Sequence, residues 1–388
     1  RTATPIANVA SSTVVGKPMI IPEFNFPWPN EFRAECLPVT MAYAALQEWD
    51  GVLFFAYETR PERNHISYFG NTADPVRWGQ VPLAALMFHR GDIAAARNTI
   101  HVGVSAVDTF ATRPRRSSDS YSPYDIVPYI SKLRNAYFDK AYQGNADIVL
   151  SSGHSATGDY RQAKRAIVFA DSAATDAAGT RFDRGQSART ALPGLKTQEN
   201  AAGLTTIVPN SRLRRTQTIS HQGASVGVVT DRLYLLPSAS QLEPDRGRWL
   251  HRLLLDALNR WRLPGAAPVT EAGNVYRSDT GQLVLDSTKR QFTANAPRLR
   301  SVVGFLGDAP VQLGDIKITS RTPFAAITII SLDDAKDIAS SRRLLVTAVA
   351  RAENTGQATI QTKAVKKGLD ADTGAFLPQS NIAIAQHG

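Results

Sequence analysis

Cysteine is nearly missing from this chain: Cys36 is the only one in 388 residues. An intrachain disulfide framework is therefore excluded. The compartment stays open, because a secreted or periplasmic bacterial protein can lack disulfides as readily as a cytoplasmic one. No run of about 18 apolar residues occurs, so no membrane-spanning helix is expected. No signal peptide is visible, and a truncated N-terminus would have lost one. Histidine and cysteine never fall at metal-ligand spacing, and neither a Walker A loop nor a dinucleotide fingerprint is present. No metal or other cofactor is expected.

Acidic residues are outnumbered, 34 against 44 basic ones, for a net charge of +10. A phosphate-binding surface needs its cations on one face, with aromatics to stack on bases. Here Arg113, Arg115 and Arg116 stand in a polar loop, and Arg212, Arg214 and Arg215 flank a strand-like run. Few aromatics accompany them, so nucleic acid is not an expected partner. Attraction to acidic or sulfated glycans is a better use of the charge.

What is present begins with Glu23. The run Met19-Ile20-Ile21-Pro22 reads as a buried parallel strand ending in that carboxylate, before Phe24-Asn25 and a Pro-rich turn that includes Trp28. Asn30 is an N-cap signal, and helical spacing follows to Trp49, with Pro38 expected to kink the helix. Gly51 ends it, and Val52–Tyr57 reads as a second strand, followed at once by Glu58. A loop with His65, Tyr68 and Asn71 leads to Asp74-Pro75 and a further helix near 79–88. Strand, helix, strand at this spacing describes a parallel βα unit. An isolated Glu at such a point also serves to cap a loop or pair with an Arg. Trp28, Trp49, Phe55, Tyr57, Tyr68 and Trp78 crowd the strand ends. Aromatic faces suit sugar rings, although Trp49 and Phe55 fit a core role better.

Taken together, Pro22-Glu23-Phe24-Asn25, Trp49-Asp50-Gly51, Asp74-Pro75 and Arg90-Gly91-Asp92 resemble the last two βα units of retaining glycosidases of the cellulase and β-galactosidase clan. The resemblance covers residues 16 to 105. A weaker one, from Ser278-Asp279-Thr280-Gly281 to Asn354-Thr355-Gly356, is to the β domain attached to large members. The resemblance implies a (β/α)8 barrel, a carbohydrate substrate and Glu23 as nucleophile. Asn25 and Arg33 would favour its ionised form, and Asn25, Trp28, Tyr57, Glu58, His65 and Tyr68 would contact substrate. Such an enzyme needs a second carboxyl group about 5 Å away as acid/base. In the clan that group lies at the end of the fourth strand, in an Asn-Glu motif. Only 22 residues precede Glu23 here, whereas a barrel needs about 250. The chain therefore reads as the C-terminal part of a longer enzyme, completed by an N-terminal barrel polypeptide or by self-association. Glu58 is an internal alternative for the second carboxylate, but a surface pair with Arg60 or Arg63 is the simpler reading. The chain could also be a non-catalytic carbohydrate-binding or structural module.

The expected fold class is α/β plus all-β, in three parts: terminal barrel units over 1–105, a mixed α/β region over 106–270, and a β-sandwich over 271–388. Within these, helices are expected over 124–142 and 246–261. Residues 172–200, rich in Ala, Gly, Thr, Arg and Gln, read as an irregular surface stretch. Strand-like runs at 205–208, 225–230, 233–236, 282–285, 301–305, 324–330 and 344–349 alternate with turn signals. Gly223-Ala224-Ser225-Val226-Gly227 matches a hydrolase nucleophile elbow by letter, but that elbow requires a helix after the Ser, and a strand is expected there.

Overall fold

The computed structural model describes residues 5–58, 65–106, 126–151, 160 and 162–170, the strands at 196–199, 205–208, 217–221, 224–229 and 233–237, residues 259 and 261, residues 275–360 except 335 and 356, and 382–385. The structure combines α/β elements with a large antiparallel sheet. No helix among the described residues is long and apolar enough to cross a membrane.

After a short helix α1 (Pro5–Ala10), strands β1 (Ile20–Phe24) and β2 (Gly51–Phe54) pair in parallel. Ile20 lies opposite Gly51 and Ile21 opposite Val52. The register then slips to Phe24 opposite Phe54, leaving a bulge at Pro22 and Glu23. Pro22 has no N–H to give a ladder, which suits a bulge. Helix α2 (Cys36–Gln47) joins the two strands. Pro38 does not kink it. A turn of 3-10 helix at Arg33–Glu35 precedes α2, and Pro38 sits in its first turn, where the missing N–H has no intrahelical partner to lose. At the other end Glu48 takes a left-handed conformation, and Asp50 Oδ2 accepts from the Met19 N–H at 2.7 Å. That bond aligns the entries to the two strands.

Ten of the twelve residues of α2 are buried, so it has no polar face. It shares a core with Ile21 and Phe24 of β1 and with Val52 and Phe54 of β2. At its C-terminal end the buried Gln47 donates to Pro128 O and Ser131 O and accepts from Leu133 N–H. Two short helices follow β2, α3 (Pro75–Trp78) and α4 (Val81–His89), and α4 packs on α2.

A seven-stranded mixed sheet comes next, built from β3 (Thr99–Ser105), β4 (Lys132–Phe138), β5 (Ile148–Ser151) and β6 (Ala166–Ala170), with a separate antiparallel pair, β7 (Lys196–Glu199) and β8 (Thr205–Val208), between them and β9 (Gln217–His221), β10 (Ala224–Val229) and β11 (Leu233–Pro237). Its order is β4-β3-β5-β6-β11-β10-β9, parallel from β4 to β11 and antiparallel thereafter. The helix expected over 124–142 is not formed. A 3-10 turn at Val127–Tyr129 leads instead into β4, paired with β3 over seven residues. Pairing with a buried strand, and the burial of Leu133 and Ala136, outweigh local helical propensity. Ser225 lies inside β10 opposite Ser220, so the Gly-x-Ser-x-Gly match is no elbow. Apart from Asn259 and Trp261, the expected helix over 246–261 lies outside the described residues, as does 172–200 apart from β7.

The C-terminal part is a six-stranded antiparallel meander: β12 (Val275–Arg277), β13 (Leu283–Asp286), β14 (Gln291–Ala296), β15 (Leu299–Phe305), and, after the hairpin β16 (Val311–Leu313) and β17 (Ile316–Ile318), β18 (Phe324–Ser331) and β19 (Leu344–Val349). A last pair, β20 (Gln357–Ile360) and β21 (Ile382–Ala385), follows. Alternation assigns the two faces. Val303, Phe292 and Phe324 join the core around α2, where Tyr43 packs on Tyr129 and Phe292. Val302 and Ala325 face Leu313 and Ile318 of the hairpin.

Asp279 fastens this sheet to the seven-stranded one. Its carboxylate accepts from the N–H groups of Arg97 and Asn98, from Asn98 Nδ2 and from Ser131 Oγ, at 2.9–3.1 Å. Its own N–H donates to Ile130 O at 2.7 Å. Asp279→Ala strands four donors at a buried joint and is expected to cost about 3 kcal/mol or more in urea unfolding. A second expectation concerns His101 on β3. Its Nδ1 lies 2.8 Å from the Tyr142 hydroxyl, and its pKa falls to about 4 through burial, helped by the Arg134 charge. The unfolded chain takes up this proton near pH 6.5, whereas the fold refuses it until about 4. Stability should thus fall as pH drops through that window, by roughly 3 kcal/mol. Unfolding titrations of His101→Gln should lack this component.

Candidate functional site

The elements that follow β1 and β2 meet around one buried carboxylate. Asp74 caps α3 by accepting from Val76 N–H at 3.1 Å. It also takes a two-pronged contact from Arg33, Nε to Oδ2 at 2.7 Å and Nη2 to Oδ1 at 3.1 Å. Arg77 Nε stands 3.4 Å from Oδ2, near enough to pair but not aligned for a hydrogen bond. The two guanidinium groups then reach outward. Arg33 donates to Ala352 O and Asn30 O, and Arg77 to Phe26 O, Gly70 O and Asn71 Oδ1. One carboxylate thus ties the exit of β1, the entry to α2, the 65–74 loop and the chain beyond β19. Burial pulls the Arg77 pKa down, and Asp74 opposes the shift.

Beside this network lies a cleft of about 200 Å³. Cys36, Leu37, Phe54 and Val81 supply apolar wall; Asn25, Asn71, Arg77 and Gln80 border it, yet its surface is almost wholly apolar. Tyr57 and Trp78 stand at its edge, 68% and 47% exposed, with rings in edge-to-face contact at 5.9 Å. Three buried atoms of residues that border it have no hydrogen-bond partner among the described residues: Asn25 Oδ1, Arg77 Nε, which is ion-paired with Asp74, and Gln80 Oε1. Burial pushes the Cys36 thiol up to about 12, so it is no nucleophile there. The wall contains no carboxylate.

Of the residues expected at a site, the cleft gathers Asn25 and Tyr57. Asn25 Nδ2 donates to Phe55 O and Phe69 O, which bridges the ends of β1 and β2. Glu23 is exposed in the β1 bulge, outside the cleft wall. Arg33, expected near Glu23 as a charge partner, is committed to Asp74 instead. Trp28 is half-buried, with its N–H on Tyr68 O at 3.1 Å. Tyr68 is exposed and packs edge-on against Phe69. Half-buried Glu58 accepts from Thr72 Oγ1 at 3.0 Å, and a Cβ at Gly70 would strike its carboxylate. Arg60 and Arg63 lie outside the described residues. His65 is half-buried, next to Ile66, whose N–H and C=O are both held by the Asn354 amide. Trp49 is core, as expected; Phe55 is partly exposed. Gln80 was not legible as a site residue, because a buried amide reads in sequence like a surface one. Among the described residues no group of three or more His, Cys, Asp or Glu could hold a metal ion.

No protein-family model matches the chain, and no curated protein and no solved structure matches it. The geometry around Asp74 makes its own test. Asp74→Ala leaves two buried guanidinium groups without a counter-charge and should lower stability by about 3–5 kcal/mol in urea unfolding.

Proposed function

We propose that this chain contributes the nucleophile and two terminal βα units to a retaining β-glycosidase, with its last sheet as the attached β domain of sandwich type. The observation that carries the reading is the parallel β1–α2–β2 unit with Glu23 exposed in the bulge at the C-terminal end of β1. That is where a (β/α)8 barrel assembles its chemistry. A second observation bears on completeness. The β1–β2 sheet has two strands among the described residues, and Ile20 and Leu53 on its open face are 54% and 57% exposed. Parallel sheets are stable when both faces are covered and their edges paired. A polypeptide that continues this sheet would cover the face and bring the acid/base carboxyl. Glu23 then attacks the anomeric carbon as the C–O bond to the leaving group breaks, and the acid gives its proton to the departing oxygen. Water, deprotonated by the same residue, releases the sugar from Glu23.

The absence of a carboxylate from the cleft favours a second reading, a module that binds carbohydrate without cleaving it. A 2-deoxy-2-fluoroglycoside applied to the natively purified material separates the two. Hydrolysis requires one added glycosyl mass on the chain, mapped to Glu23. Glu23→Gln should reduce turnover by several orders of magnitude with an unchanged melting temperature, since the side chain is exposed. Activity within about tenfold of wild type in that variant would rule Glu23 out as nucleophile.

A further inference from the structure

We propose that the cleft between the start of α2, β2, α3 and α4 binds one small uncharged aromatic molecule, a ring of benzene or indole size. The site needs neither Glu23 nor a completing polypeptide, so it goes beyond the glycosidase reading. Its wall reaches into the interior: Cys36 and Leu37 are 2% and 3% exposed, whereas Tyr57, Trp78 and Val81 stand open to solvent. It is a recess with a mouth rather than a flat docking face. The volume is about 200 Å³ and the surface almost wholly apolar. An apolar cavity of about 150 Å³ is large enough to hold benzene.

The polar groups that border the cleft are turned to the protein. Gln80 Nε2 donates to Ala34 O and Val76 O, Asn71 Nδ2 to Ala56 O, and Asn25 Nδ2 to Phe55 O and Phe69 O. The Arg77 Nη groups are held by Phe26 O, Gly70 O and Asn71 Oδ1, and its Nε is ion-paired with Asp74. A peptide segment entering there would bring N–H and C=O groups with nothing to pair them. An anion would find no donor. Charge then selects among the apolar ligands. Arg33 and Arg77 exceed Asp74 by one positive charge. Burial dominates the Cys36 thiol in the wall, but of the two charges that reach it Arg77 outweighs Glu35. That field repels a cation. It attracts the negative face of an aromatic ring and does little for a saturated ring of the same size. Trp78 and Tyr57, edge to face at 5.9 Å, offer ring contacts at the mouth.

The test is equilibrium binding to the purified chain by ligand-observed NMR. The probes are toluene and indole, with phenol and cyclohexanol as a matched aromatic and saturated pair, and benzoate and benzylamine as charged analogues. Toluene and indole should bind saturably, with a Kd of about 1 mM or lower, and should raise the unfolding midpoint. Phenol should bind about fivefold more tightly than cyclohexanol. Benzoate and the benzylammonium ion should not bind detectably. Val81→Trp, at the exposed start of α4, should fill the cleft and abolish both binding and the midpoint shift in a chain that still unfolds cooperatively. Trp78→Ala, at a half-exposed position, should weaken indole about tenfold. Glu23→Gln should bind as wild type, so the site stands or falls apart from the hydrolase reading. No saturable binding of either ring up to about 5 mM overturns the proposal. So does binding that survives both cleft variants, or cyclohexanol binding as tightly as phenol. Binding that weakens as the chain is concentrated also overturns it, since a second copy of the chain would then fill the cleft.

Discussion

A helix with no polar face cannot stand at a surface, and α2 is such a helix. In a free-standing barrel the helices form an outer ring and keep a solvent side. Here that side is taken. Tyr43 packs into the aromatic cluster with Tyr129 and Phe292, so the six-stranded sheet covers what a barrel would leave wet. Gln47 docks the far end against the chain entering β4. Residues of three sheets therefore share one core with a helix of twelve residues. On the opposite face of β1 and β2, Ile20 and Leu53 remain exposed.

Buried carboxylates set the joints between these layers. Asp279 holds the six-stranded sheet to the start of β3 and the entry to β4. Asp74 holds the elements around the cleft. Asp92, with its side chain fully buried, takes Arg90 and stands 3.5 Å from Arg298, while Arg90 also reaches Ser331 O at the end of β18. Asp74 and Asp279 are solvated by donors from segments distant in sequence, which is how a buried charge becomes tolerable. Asp50, Asp74 and Asp92 are also residues that carry the glycosidase resemblance. In this chain their visible work is architectural, and the proposed chemistry rests on Glu23.

Patterns confined to neighbouring residues were readable. The β1–α2–β2 unit and the strands at β8, β10, β11, β13, β15, β18 and β19 follow from apolar runs bounded by turn residues. The segment that becomes β4 was not readable as a strand, because Leu133 and Ala136 are three apart and mimic a helix face. Its pairing with β3 decides the matter. The cleft was invisible for a related reason. Gln80 and Arg77 look like surface residues until α3 and α4 fold them inward. Arg33 lies close to Glu23 in sequence, yet its charge is used by a carboxylate 41 positions away.

The uncovered face of β1 and β2 links fold to activity, because the site proposed for Glu23 lacks a second carboxyl until that face is extended. The direct measurement is the molar mass of the natively purified chain by size-exclusion light scattering, with mass spectrometry of everything that elutes with it. A complex is expected, held by an apolar interface of roughly 2,000 Å² or more and active only as an assembly. A stable single chain that hydrolyses glycosides unaided would contradict the account.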